Sequence, residues 1–152
     1  EDTRLGKRNV LLNELTQAGA AYLRVPYRPL PGRGGLTHRT LADWLRRRAP
    51  KRRARLEWNV PGTDHPVDVV YELEDGTFHA FEIVVDCHDN VTDHARACLL
   101  ESTQVSRLTF VVLLKKDHDN VAARLAADPA LQGVLDRIDY FYALTLYTEC
   151  FP

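Results

Sequence analysis

The chain has no methionine and only three cysteines, Cys87, Cys98 and Cys150. No two of them have the Cys-x-x-Cys spacing of a zinc site, and an odd number argues against a disulfide scaffold. The expected setting is therefore a reducing cytoplasm. No apolar run reaches the roughly 18 residues that a spanning helix needs, so no membrane partner is expected. The opening EDTRLGKRN is polar and lacks the apolar core of a signal peptide. With no methionine anywhere, it suggests a piece processed or excised from something larger. Internal repeats are also missing, which excludes a solenoid. With 152 residues and 45% hydrophobic content, the chain can bury one core: a single domain, or one domain with an appendage.

Charge is nearly balanced overall and very uneven locally. Residues 1–56 hold 14 Lys/Arg against 4 Asp/Glu, and residues 57–152 hold 6 against 17. The densest block runs from Arg46 to Arg55 and comprises Arg46, Arg47, Arg48, Lys51, Arg52, Arg53 and Arg55. A few arginines at a helix end are accounted for by the helix dipole. Seven cations in ten residues exceed that need, and with Arg39 they point to phosphate contact, with DNA as the expected partner.

Val67–Val85, VDVVYELEDGTFHAFEIVV, reads as a β-hairpin. Asp68, Val70 and Glu72 share one face by alternation; Val69, Tyr71 and Leu73 share the other. Glu74-Asp75-Gly76 makes the turn, since Asp-Gly tolerates positive φ. The return strand sets Phe78, Ala80, Glu82, Val84 and Asp86 on one face, and Phe81, Ile83 and Val85 on the other. A carboxylate inside AFEIVV is costly to bury without a partner. A divalent cation shared by Asp68 and Glu82 is one such partner.

Here the chain resembles the PD-(D/E)xK nuclease superfamily, over about Leu36 to Leu114. Pro66-Val67-Asp68 matches the first acid, and Glu82-Ile83-Val84 matches Glu-x-Lys with valine at the lysine position. The resemblance implies a restriction-endonuclease-like α/β core of order αβββαβ, with a central mixed sheet flanked by helices. It also implies Mg2+ or Mn2+ held by Asp68 and Glu82. His38 and Arg96 are the candidate substitutes for the lysine: His38 for acid–base work near neutral pH, Arg96 for phosphate charge, since a guanidinium is a poor base. The alternative is that Asp68 merely ends a strand, that Glu82 is a half-exposed strand carboxylate, and that His38 is a cap or surface residue.

The remaining elements are coarser. Arg8–Leu15 reads as a strand and Thr16 caps a short helix to about Leu23. RLGKRNVLLNELTQAGAAYL resembles the last wing strand and following helix of a winged-helix domain, so residues 1–35 are an appendage and Pro/Gly linker, and 36–152 the nuclease-like domain. Helix Leu36–Ala49 buries Leu36, Leu41, Trp44 and Leu45. Then follow strand Arg55–Val60, the hairpin, helix Val91–Thr103 capped by Asn90 or Thr92, and the buried strand Leu108–Leu114. Helix Asp119–Ala127, a possible helix Leu131–Asp136 and the aromatic strand Ile138–Tyr147 complete the order. Pro29 to Gly35 (PLPGRGG), His38-Arg39, Val67-Asp68 and Glu82-Ile83 also resemble nuclease-like C-terminal domains of bacterial DNA-translocating ATPases and related mobile-element proteins. That implies a larger ATPase or complex as parent or partner.

Asp86, His88, Asp89, Asp93 and His94 invite a transition-metal reading, but their spacing fits no closed zinc pattern. Cys87 and His88, adjacent on a strand, face opposite ways and make a poor nucleophilic dyad. Three functions are open at this point. They are a DNA-binding module with a degenerate site, a working Mg2+ endonuclease, and an assembly domain adding Tyr140, Phe141, Tyr142 and Tyr147 to a partner's sheet edge.

Overall fold

A computed structural model describes residues 16–49, 53–85 and 90–143. The expected strand at Arg8–Leu15 and the end of the late aromatic strand lie outside these residues. The fold is α/β, a five-stranded mixed sheet flanked by helices. Helix α1 (Gln17–Tyr22) is capped by Thr16, whose Oγ1 accepts the Gly19 N–H at 3.0 Å. Helix α2 (Leu36–Arg48) stops at Ala49, since the residue before a proline is disfavoured in helix. Strands β1 (Ala54–Asn59), β2 (Pro66–Glu72) and β3 (Phe78–Val84) form an antiparallel meander. Helix α3 (Val91–Arg96) runs into a π-helical turn, Ala97–Glu101, and leads to β4 (Val105–Val112), parallel to β3. Helix α4 (Lys115–Ala126) and two short 3-10 turns lead to β5 (Ile138–Tyr142), parallel to β4. The strands lie in chain order across the sheet. No helix among the described residues is long and apolar enough to cross a membrane.

Alternation sorts the strand residues into two cores. On one face Leu41, Ala42 and Leu45 of α2 meet Val69, Phe81, Ile83 and Val111. On the other, α3 and α4 supply Val91, Ala95, Val121 and Leu125 against Val70, Ala80, Val84 and Phe110. β4 is buried from Leu108 to Val112 because both faces are covered. The hairpin turn is held by the Asp75 carboxylate, which accepts from Thr77 N–H (2.9 Å) and Oγ1 (2.7 Å), with Gly76 at φ 81°.

Some boundaries differ from the sequence expectation for identifiable reasons. α4 begins at Lys115, four residues early, because Asp117 takes the Leu114 N–H and caps the first turn. Pro129 and Gly133 reduce the expected helix 131–136 to 3-10 turns. Trp44 and Leu36 are only partly buried; Asp43 takes a buried place instead.

One departure shapes the site. Leu56 and Val69 pack on the α2 side, whereas Trp58 and Val67, two residues away on the same strands, pack on the α3–α4 side. Simple alternation forbids this. Both strands turn over between those pairs, at Glu57 and Asp68, where no backbone pair forms and Glu57 takes a left-handed φ of 48°.

Candidate functional site

The β2–β3 ladder ends with Val69 opposite Phe81. One more step would set Asp68 opposite Glu82, but the strands part there. Asp68 fills the opening: its Oδ2 accepts the Ile83 N–H at 2.7 Å, replacing the missing ladder bond. Its Oδ1 lies 3.0 Å from His38 Nε2, on the first turn of α2. Asp68 is thus a pivot residue and does not simply share the inner face with Val70. Glu82 keeps the face of Ala80 and Val84 and meets α3, with Oε1 2.6 Å from His94 Nδ1. Its Oε2 is buried and has no hydrogen-bond partner.

Burial drives the Glu82 carboxyl up to about 7; the hydrogen bond from His94 opposes that rise and the charge of Asp68 adds to it. The hydrogen bond to Asp68 raises His38 above its ordinary value; burial opposes this and the charge of Glu82 adds to it. The charge of Asp68 therefore acts on Glu82, and both carboxylates act on the His38 imidazole. The His65 ring stands 5.5 Å from that of His94.

His38, Glu82 and His94 line a cleft of about 550 Å³ together with Gly34, Gly35 and Asn90, among others. Gly34 has φ 81°, and a Cβ there would stand 3.2 Å from the His38 ring, so only glycine lets this loop close over the imidazole. Asn90 stands at the α3 N-cap, but its side chain makes no capping bond. Glu82 and His38, both raised and both facing this cleft, can hold protons near neutral pH.

The structure brings Asp68, Glu82 and His38 together and adds His94. The link from His94 to Glu82 was hidden in sequence because it depends on how α3 returns across the sheet. Arg96 points elsewhere, with its Nε 2.8 Å from Asp128 Oδ2. Two helical positions from His94 is 200° of rotation, which carries it off the site face. Val84, where the sequence resemblance would put a lysine, is 1% exposed within the core. Asp86, Cys87, His88 and Asp89 lie outside the described residues, and Asp93 is a half-exposed neighbour of Arg96 at 3.8 Å.

The donor set fits a metal ion poorly as it stands. Both Asp68 oxygens are engaged, and among the described residues no three His, Cys, Asp or Glu side chains are disposed to hold one. Of the Asp68 and Glu82 oxygens, Glu82 Oε2 is the one without a hydrogen-bond partner.

The basic residues gather at the far end of α2. Buried Asp43 binds two of them: Arg46 Nη2 and Arg47 Nε lie 2.6 and 2.7 Å from its oxygens. Arg47 stays 72% exposed. Arg48 lies over the Trp44 ring at 4.6 Å, and Arg55 reaches Glu72 at 3.1 Å. Arg53 is exposed. Arg39 instead turns back to the Leu30 carbonyl at 3.3 Å. Lys51 and Arg52 lie outside the described residues. In comparisons with known proteins, no family model, no curated protein and no solved structure matches the chain.

Proposed function

We propose that this chain is a DNA-associated module with a restriction-endonuclease-like core and a degenerate active site, working within a larger DNA-processing protein. The observation that carries the reading is the place of Asp68 where β2 and β3 part, with its charge acting on Glu82 beside a cleft. An acid on each strand of a hairpin, followed by a helix and a parallel strand, is the arrangement the superfamily resemblance implies. The degenerate character rests on Val84, a buried apolar side chain where the family pattern has a cation, and on the histidines that already engage both carboxylates. The Arg46–Arg55 block supplies the phosphate contacts.

The reading is tested by duplex DNA binding across a salt series. Several neutralised phosphates give a log–log slope of roughly −3 to −6, at about −0.9 per contact. Replacing Arg46, Arg47 and Arg53 by Ala flattens it. No binding at low salt removes the proposal. A working Mg2+ endonuclease is the second reading, favoured by the unpartnered Glu82 Oε2. Plasmid nicking by wild type with Mg2+ or Mn2+, abolished by Asp68→Ala, selects it.

A further inference from the structure

We infer that Asp43 is a positioning residue for DNA: it holds Arg46 and Arg47 as a preformed pair of guanidinium forks for backbone phosphate. The inference rests on the reading of the arginine block as a phosphate surface and names what organises that surface. Asp43 is out of place in a simple electrostatic patch. It is an acid set among cations, and only 4% of it is exposed. For long-range attraction alone, its negative charge subtracts from the surface. For stability alone, a buried ion pair is often neutral, since desolvation offsets the attraction.

The hydrogen bonds of Asp43 point to another role. Arg46 donates from Nε at 3.2 Å and from Nη2 at 2.6 Å to its Oδ1, and Arg47 Nε lies 2.7 Å from its Oδ2. One carboxylate thus fixes two guanidiniums that leave adjacent positions of α2. An arginine carries its N–H donors in a rigid planar fork. Arg46 commits its Nε–Nη2 edge and keeps the donors of its Nη1–Nη2 edge; Arg47 commits Nε and keeps those of both Nη groups. Among the described residues neither guanidinium has another hydrogen-bond partner. The Arg46 and Arg47 side chains stay 44% and 72% exposed, so the remaining donors face solvent. An unanchored arginine gives up rotamers when it meets a phosphate. These two have given them up beforehand, and less affinity is lost to ordering. Two-point N–H contact with phosphate oxygens is what the remaining edges offer, and an ammonium cannot copy it.

The test uses the full chain and a labelled DNA duplex, with affinity read by anisotropy at about 50 mM NaCl, where phosphate contacts are strong. Asp43→Asn is isosteric and removes the charge that anchors both arginines. It is expected to weaken binding at least roughly fivefold, the low end for ordering two long side chains on contact. Charge alone predicts the opposite sign, because a negative group leaves the surface. In an Arg46→Ala/Arg47→Ala background the same change is expected to cause no loss, since nothing remains for it to position. Arg46→Lys/Arg47→Lys, at exposed positions, keeps both charges and the salt slope and is expected to lose affinity by a similar factor. That pair carries the test by itself if Asp43→Asn does not fold. Equal or tighter binding by Asp43→Asn, the same loss in both backgrounds, or wild-type affinity in the lysine pair overturns the inference and leaves the phosphate surface standing. No binding by wild type at that salt removes the proposed function as well.

Discussion

Glu82→Gln isolates the energetic cost of the buried acid. Burial lifts the Glu82 carboxyl from 4.5 to about 7. In the unfolded chain the group returns to its ordinary value. Between those two values the folded state binds a proton that the unfolded state has released, so stability falls as pH rises through the window. At 1.36 kcal/mol for each pH unit between the two values, the full fall is about 3 kcal/mol, complete by about pH 8. His38, also raised, acts in the same direction: its contribution is intact below about 6.5 and is lost as pH rises through its folded value. The amide of Gln is isosteric and cannot ionise. Urea unfolding in EDTA buffer, from about pH 5 to pH 8, should show wild type and variant close together on the acid side. On the alkaline side the variant should be more stable by about 2–3 kcal/mol. His94→Phe should act oppositely: it removes the hydrogen bond that favours ionised Glu82, extends the window upward and deepens the wild-type fall. Parallel curves for wild type and Glu82→Gln would refute the reasoning, since they require an acid that titrates alike in both states.

Three further outcomes follow from neighbouring contacts. Asp68→Ala strips the acceptor from the Ile83 N–H and the partner from His38; it should cost about 1–3 kcal/mol and bring the His38 titration down, read by NMR of the imidazole protons. An unmoved His38 titration rules that pairing out. Val84→Lys buries an ammonium in the core on the Glu82 face, costing several kcal/mol. On the proposed function it gains weak Mg2+-dependent plasmid nicking that a further Glu82→Ala abolishes, and nicking that survives the second change breaks the argument. Glu57→Gly releases a left-handed backbone worth about 1–2 kcal/mol; against it stand the Arg33 contact at 3.3 Å and part of that gain lost to the greater unfolded-state freedom of glycine. Thermal unfolding should show a gain, and a loss of stability assigns Glu57 a role beyond the strand corner.

The hairpin, its turn and the order of elements were legible because each rests on local chemistry: alternation, the Asp-Gly turn and the Thr16 cap. The apolar run before α4 marked β4 as buried on both faces. What escaped was set by non-local geometry. Nothing in RLEWNV marks Glu57 as the left-handed residue, so the turnover of β1 and β2 was invisible, and Asp68 was given the wrong relation to Val70. His38 was legible as a candidate beside Asp68 through the family resemblance. The place of Glu82 beside His94 was not, because the α3 register decides whether His94 or Arg96 faces the sheet, and helix position alone does not select between them. In the arginine block, sequence read only charge. The stack of Arg48 on Trp44 is an i, i+4 relation open to inspection, but its continuation to Phe141 needs β5 laid beside β4.

α2 joins the two regions of interest and also separates them. It opens with His38 in the cleft and closes with Arg46–Arg48 at the basic end. Ten residues at 1.5 Å each place Arg48 about 15 Å along the axis from His38. Substitutions farther apart than about 10 Å, with no shared partner, act additively to within a few tenths of a kcal/mol. Their acids are separate: Asp43 serves Arg46 and Arg47, whereas Asp68 and Glu82 serve His38 and His94. Glu82→Gln should therefore change the pH dependence of stability and leave the salt slope of duplex binding at its wild-type value. Measuring that slope in both proteins at pH 8, where Glu82 is ionised, gives the clearest reading, because a carboxylate near bound phosphate would repel it. A slope steepened by about one contact in the variant would show that DNA reaches the cleft, and the independence of the two ends of α2 would then be refuted.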